Sequence, residues 1–147
     1  MVHYDGRQWT TFAPNIYFPN GLAVDGDRLF VSVFGAKELR IHSRTSGSLL
    51  KSVKLDAHPD NLLWELPGRM LDIAAHRSST KTALHALSNH FHSPSIGYAY
   101  DVAAGRVDTL YDRPEFNASS TALAVRGRIY VSQLVDPFVA VLEDCRP

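Results

Sequence analysis

The chain has one cysteine, Cys145, in 147 residues. A single thiol excludes an internal disulfide and any cysteine-rich zinc module, and Cys145 reads as a free thiol near the C-terminus. Net charge is lacking too. Fifteen basic residues balance fifteen acidic ones, so no field favours nucleic acid or an anionic membrane. No apolar run approaches the roughly 20 residues that a membrane-crossing helix needs. The opening residues, Met1-Val2-His3-Tyr4-Asp5-Gly6, have neither the basic start nor the apolar core of an export signal, and the compartment stays unassigned. A glycine-rich phosphate loop, a nucleophile elbow and a zinc-binding helix motif are all missing. The length and the 45% hydrophobic content fit one globular domain with a real core.

What the chain does have is a recurring set of short strands. Runs rich in β-branched and aromatic residues alternate with Gly, Asp, Pro and Ser turns. Strands are predicted over 21–24, 28–33, 38–43 and 49–55, with Asp25-Gly26-Asp27 and Thr45-Ser46-Gly47-Ser48 as turns. Four antiparallel strands in roughly forty residues is the size of one propeller blade. The pattern restarts at 61–65, 70–75, 96–101 and 106–111, and again at 121–125, 128–133 and 138–143. The second strands align: Asp27-Arg28-Leu29-Phe30-Val31-Ser32, Gly68-Arg69-Met70-Leu71-Asp72-Ile73 and Gly127-Arg128-Ile129-Tyr130-Val131-Ser132.

The expected fold is therefore all-β, a partial six-bladed β-propeller of about two and a half to three four-stranded blades. Residues 1–13 form the end of a preceding blade, 19–55 a blade, 60–112 a second blade, and 119–143 an incomplete last one. An insertion over 76–95 interrupts the second blade. Leu84, Leu87 and Phe91 fall three or four apart there, which predicts a short helix at the rim, where insertions often cover a pocket. Such a half ring leaves unpaired strand edges, which points to a fragment of a longer chain or to edge-to-edge self-association.

Oxygen-bearing side chains stand at equivalent points of two units. Asn20 lies in Phe18-Pro19-Asn20-Gly21-Leu22, and Asp60 and Asn61 lie in His58-Pro59-Asp60-Asn61-Leu62. Hard cations such as Ca²⁺ take carboxylate and amide oxygens, so tips converging from neighbouring units suggest a calcium site. Taken singly, Asn20-Gly21 is a common turn dipeptide, and Asp60-Asn61 after Pro59 is an ordinary turn as well. His90-Phe91-His92 lacks a convincing third ligand for a transition metal. His3, His42, His58 and His85 read as surface or strand histidines, and Trp9 and Trp64 as core or inter-blade packing. Asn117-Ala118-Ser119 matches a glycosylation acceptor and reads as an unmodified turn.

From Phe18-Pro19-Asn20-Gly21-Leu22-Ala23 through Leu29-Phe30-Val31-Ser32 and Leu39-Arg40-Ile41-His42, the chain resembles the paraoxonase/arylesterase branch of calcium-dependent six-bladed propellers. Related branches are the regucalcin/gluconolactonase and strictosidine synthase-like propellers. Asp60-Asn61 and the pair Ser120-Thr121 fit the paraoxonase pattern best. The resemblance covers only the C-terminal half of that fold. It implies a central Ca²⁺ held in part by Asn20, Asp60 and Asn61, and a pocket histidine at His76. The motif after His76 departs from the family, with Arg77-Ser78 in place of Pro-Asn. The other ligands and catalytic histidines of the family have no counterpart here.

The implied activity is hydrolysis of a lactone or aryl ester as small-molecule substrate, weak or absent in this chain alone. The alternative is a non-enzymatic propeller module for binding or interaction, or a decayed remnant.

Overall fold

The strand runs pair wherever a Gly or Asp turn lets the chain double back. The computed structural model describes residues 1–146 and consists of antiparallel sheets with one short helix. A hairpin of β1 (Val2–Tyr4) and β2 (Trp9–Thr11) comes first. The first large sheet is a meander of β3 (Pro19–Asp25), β4 (Arg28–Val33), β5 (Glu38–Ser43) and β6 (Leu49–Lys54). The second runs β7 (His58–Leu66), β8 (Met70–His76), β9 (Pro94–Asp101) and β10 (Arg106–Asn117). The third has three strands, β11 (Ser119–Val125), β12 (Arg128–Gln133) and β13 (Val139–Glu143).

The expected strands all form, and six of them extend further, β3, β7, β8, β9, β10 and β11. β7 starts at His58 and β3 at Pro19, because each proline stands beside a bulge where no ladder hydrogen bond is asked of it. β10 continues to Asn117 across a register shift between Arg113 and Asn117, which accommodates Pro114 on an outer strand.

Two cores hold the sheets together. Between the first and second sheets lie Phe30, Leu39 and Ile41 with Leu62, Leu71, Ile73, Tyr98 and Tyr100, all buried. Between the second and third lie Ala74, Ala99, Leu110 and Tyr111 with Ala122, Ala124, Ile129 and Val131. The first strands of the three sheets are neighbours: β3 packs on β7, and β7 on β11.

The insertion does carry a helix, α1 (Ser79–Leu87). Its start is set by Ser78, whose hydroxyl accepts the Lys81 N–H. Its orientation differs from the apolar spacing. Leu84 and Leu87 face solvent, Leu87 at 83% exposure, while Thr82 and His85 face inward. The inward side chains are held by polar bonds, Thr82 to the Ser78 carbonyl and Ser93 hydroxyl, and His85 Nδ1 to the Phe91 carbonyl at 2.7 Å. His85 is thus a buried helix residue rather than a surface or strand one. Trp9 is also not a core residue: it is 70% exposed and stacks on Tyr4. Trp64 does pack between sheets, edge to face on Phe30. No helix among the described residues is long and apolar enough to cross a membrane.

Candidate functional site

Each of the three first strands carries a register shift near its start. The shifts fall between Pro19 and Leu22, between Pro59 and Leu62, and between Ser119 and Thr121. A bulge leaves a residue outside the ladder and re-aims its side chain, which is why bulges gather at functional sites. The residues with side chains inside these bulges are Asn20, then Asp60 and Asn61, then Ser120. All four line one cavity of about 460 Å³, together with His76. The sequence-predicted ligands and the predicted pocket histidine therefore meet in a single hollow.

Close approach of β3 to β7 makes this convergence possible. A Cβ on Gly21 would lie 2.6 Å from the Asp60 carbonyl oxygen, so only glycine fits there. Ser32 on β4 stitches the junction, accepting the Gly21 N–H and donating to the Asp60 carbonyl. The next junction is closed by Asn61. Its amide group donates to the Ser120 carbonyl at 3.1 Å and lies 3.0 Å from the Ser120 hydroxyl. With the nitrogen engaged, the Asn61 amide oxygen has no donor to accept from in these bonds and stays available as a ligand.

Asp60 is buried and pairs with His76, Nε2 to Oδ2 at 3.0 Å, with the imidazole 1% exposed. A carboxylate only accepts, so the imidazole carries its proton on Nε2 in this bond. Nδ1, the other ring nitrogen, is buried without a hydrogen-bond partner among the described residues.

The upper walls of the cavity are apolar. Phe18 and Phe34 stand on one side, their rings 5.1 Å apart, and Ala83 and Ala86 of α1 on another, with Leu134 beyond them. The insertion thus lines a pocket through α1. Phe18 adopts a left-handed backbone, φ 55°, and Ala118 does the same at φ 41°, each two residues before a bulge residue. In both units the carbonyl of that strained residue accepts an N–H from just past the second strand, Phe34 to Phe18 and Leu134 to Ala118. Repeated strain of this kind fixes where the bulge side chain points.

The donor set fits a hard cation in kind but is poor in charge. Asn20, Asp60 and Asn61 offer oxygen atoms only, with one carboxylate among them, and His76 engages one of its two oxygens. Among the described residues, no group of three or more His, Cys, Asp or Glu side chains is placed to hold a metal ion. His90 and His92 are exposed in the connection between α1 and β9, outside both elements. Asn117 is engaged through its side chain, which accepts the Ser93 N–H and donates to Asp136.

Ser120 and Ser32 are the contributors that pattern reading underrated. Ser120 had a sequence signal, its place at the third unit's opening. Ser32 had none, because its role depends on a contact with the following sheet. Scanned against protein-family models and against curated proteins, the chain matches none.

Proposed function

We propose that this chain carries the calcium-facing part of a propeller-type hydrolase of the paraoxonase/arylesterase kind, directed at lactones or aryl esters and weakly active by itself. The observation that supports it is the meeting of Asn20, Asp60 and Asn61, from two successive strand bulges, with His76 in one hollow that Ser120 of the third bulge also lines. Three consecutive antiparallel sheets, adjoining through their first strands, are the local geometry of propeller blades. A bound Ca²⁺ would supply Lewis-acid polarisation of an ester carbonyl.

The protein's own groups do the rest. Asn20 and Asn61 present neutral oxygens, which leave a cation's charge undiminished. Asp60 gives the only negative charge, and His76 orients it through the Nε2 bond. Phe18, Phe34 and Leu134 offer an apolar wall to an acyl or aryl group and keep water from its flanks. His76 is a positioning residue in this scheme, and the general base is not among these side chains.

A site with one carboxylate and three protein ligands binds calcium weakly, with Kd on the order of a millimolar. Calorimetric titration of the purified chain with CaCl₂ tests this. We expect saturable millimolar binding, lost in Asp60→Asn, and weakened roughly tenfold in His76→Ala because the orienting bond is gone. Absence of saturable binding, or equal binding by Asp60→Asn, would refute the metal site. The activity claim has its own test: calcium-dependent hydrolysis of a lactone by the chain alone, abolished by Asp60→Ala, would show that it needs no further residues.

A further inference from the structure

The fold places side by side two residue types that are chemically unstable together. Asn20 lines the hollow, and Gly21 is the only residue that fits against β7. A Cβ at position 21 would lie 2.6 Å from the Asp60 carbonyl oxygen, 2.8 Å from the Leu62 nitrogen and 2.9 Å from the Asn61 Cα. In an asparagine–glycine pair the following backbone nitrogen attacks the side-chain amide most readily, because no Cβ hinders its approach. Of the chain's five asparagines, at 15, 20, 61, 89 and 117, only Asn20 precedes a glycine. The others precede Ile16, Leu62, His90 and Ala118.

The two reacting groups of this pair have opposite surroundings. Asn20 is exposed, whereas Gly21 is buried. Both lie in the bulge of β3, between the ladder pairs Pro19 with Val33 and Leu22 with Val31. The Gly21 N–H, left out of the ladder, donates to the Ser32 hydroxyl oxygen at 2.5 Å. Ser32 is fully buried and gives its own proton to the Asp60 carbonyl, so the hydroxyl is fixed between two sheets. Ring closure asks the Gly21 nitrogen to lose its proton and swing toward the Asn20 amide carbon. Ser32 holds that N–H in place, and the β7 backbone against Gly21 leaves no room for the swing. Every group of this lock belongs to the junction between the first and second sheets.

We infer that Asn20 is a latent deamidation site, which Ser32 keeps closed in the folded protein and which opens when the junction opens. In the reaction the Gly21 nitrogen bonds to the Asn20 Cγ. The bond from Cγ to the amide nitrogen breaks, and ammonia leaves with the proton from Gly21. Water then opens the cyclic imide at either carbonyl and gives aspartate or isoaspartate at position 20. The net change is amide plus water to acid plus ammonia, with no oxidant or reductant. Its consequence falls on the hollow, where a neutral oxygen donor becomes a carboxylate. The isoaspartate product also adds one carbon to the backbone at the bulge. Ser32 therefore keeps the donor set of the hollow at a single carboxylate. The inference is independent of calcium, since it needs only the bond between Asn20 and Gly21 and the groups around it.

Peptide mapping by mass spectrometry, on the chain incubated warm in mildly alkaline buffer, reads the conversion of amide to acid at position 20. In the folded parent it should run at least about tenfold more slowly than in guanidinium chloride, since reaction through an opened state scales with that state's population. Ser32→Ala should accelerate it several-fold while the circular dichroism spectrum stays unchanged. Val131→Ala, which destabilises the other core, should stay near the parent rate and so separates loss of the lock from general unfolding. Hydrogen exchange at the Gly21 amide, followed by NMR, reads the lock in the parent without any substitution, and strong protection is expected. Equal rates in the folded and unfolded parent overturn the inference, as does a Gly21 amide that exchanges like an exposed one. A folded Ser32→Ala protein that reacts at the parent rate, or no faster than Val131→Ala, overturns it too.

Discussion

At one register position the molecule makes two opposite junctions. Between the first and second sheets, Phe30 lies edge to face on Trp64, within a core of Leu, Ile and Tyr. Between the second and third, the equivalent residue is Asp72, and what it meets is the backbone of Ala124, among Ala74, Ala99 and Ala122. The first junction is held by bulk. The second uses small side chains that let the backbones approach, and a carboxylate that binds an N–H of the third sheet's first strand. The two have one need in common. β3, β7 and β11 are edge strands, and a neighbour satisfies free backbone groups on them. Trp64 donates to the Val24 carbonyl in the first case, and Asp72 accepts from Ala124 in the second.

The largest break in this comparison comes from removing the bulk. Phe30 is fully buried, so Phe30→Ala loses the transfer energy of the ring and leaves a cavity, at a cost of about 3–5 kcal/mol. Urea unfolding with tryptophan fluorescence should show the unfolding free energy fall by that amount, through a lower midpoint at unchanged slope. A loss below about 1 kcal/mol would mean that the first junction is not the apolar clamp described here.

The second junction differs in being sensitive to pH. Burial, offset only in part by the Ala124 N–H bond, raises the Asp72 carboxyl from 3.8 to about 7. The folded state holds this proton at pH values where the unfolded chain has released it. The stability contribution is complete below about pH 4 and disappears as pH rises toward 7. Asp72→Asn keeps an oxygen for the Ala124 N–H and carries no charge. It should be more stable than the parent at pH 8, by about 1–3 kcal/mol, and its unfolding midpoint should be flat between pH 4 and 8. A parent protein whose stability is itself flat over that range would sink this account of the junction.

The same two junctions explain how far the sequence could be read. The repeat was legible because each second strand opens with a Gly or Asp followed by Arg and an apolar run, so strand positions followed from local pattern. The site residues Asn20, Asp60 and Asn61 were legible because they precede those runs at a common offset. A calcium site was already suggested by those oxygen-bearing tips, whereas His76 and the tips' place in a family ligand set came from the resemblance. What local pattern does not contain is which side of a helix or strand another element will cover. Leu84 and Leu87 look like an inward stripe, but the groups that bind the helix are Thr82 and His85, whose partners lie at Ser93 and Phe91. Ser32 gave no signal for the same reason, and Ser120 was marked only as part of a family pattern, since each works through a contact with another sheet.

The smallest effect separates the two tryptophans, which the sequence alone treats alike. Trp64 packs on Phe30 and donates to the Val24 carbonyl at 3.1 Å, whereas Trp9 lies on the open surface against Tyr4. Trp64→Phe retains an aromatic ring and removes the donor, so it should cost about 1 kcal/mol, the net worth of one such hydrogen bond. Trp9→Phe should stay within about 0.5 kcal/mol of the parent, as substitutions at exposed sites do. Emission spectra provide an independent reading: the Trp9→Phe protein, reporting Trp64 alone, should emit further to the blue than the Trp64→Phe protein. Equal costs and equal emission would mean that the first junction depends on aromatic bulk alone. In that case the satisfaction of a first-strand backbone group by a neighbouring sheet would be a property of the Asp72 junction only.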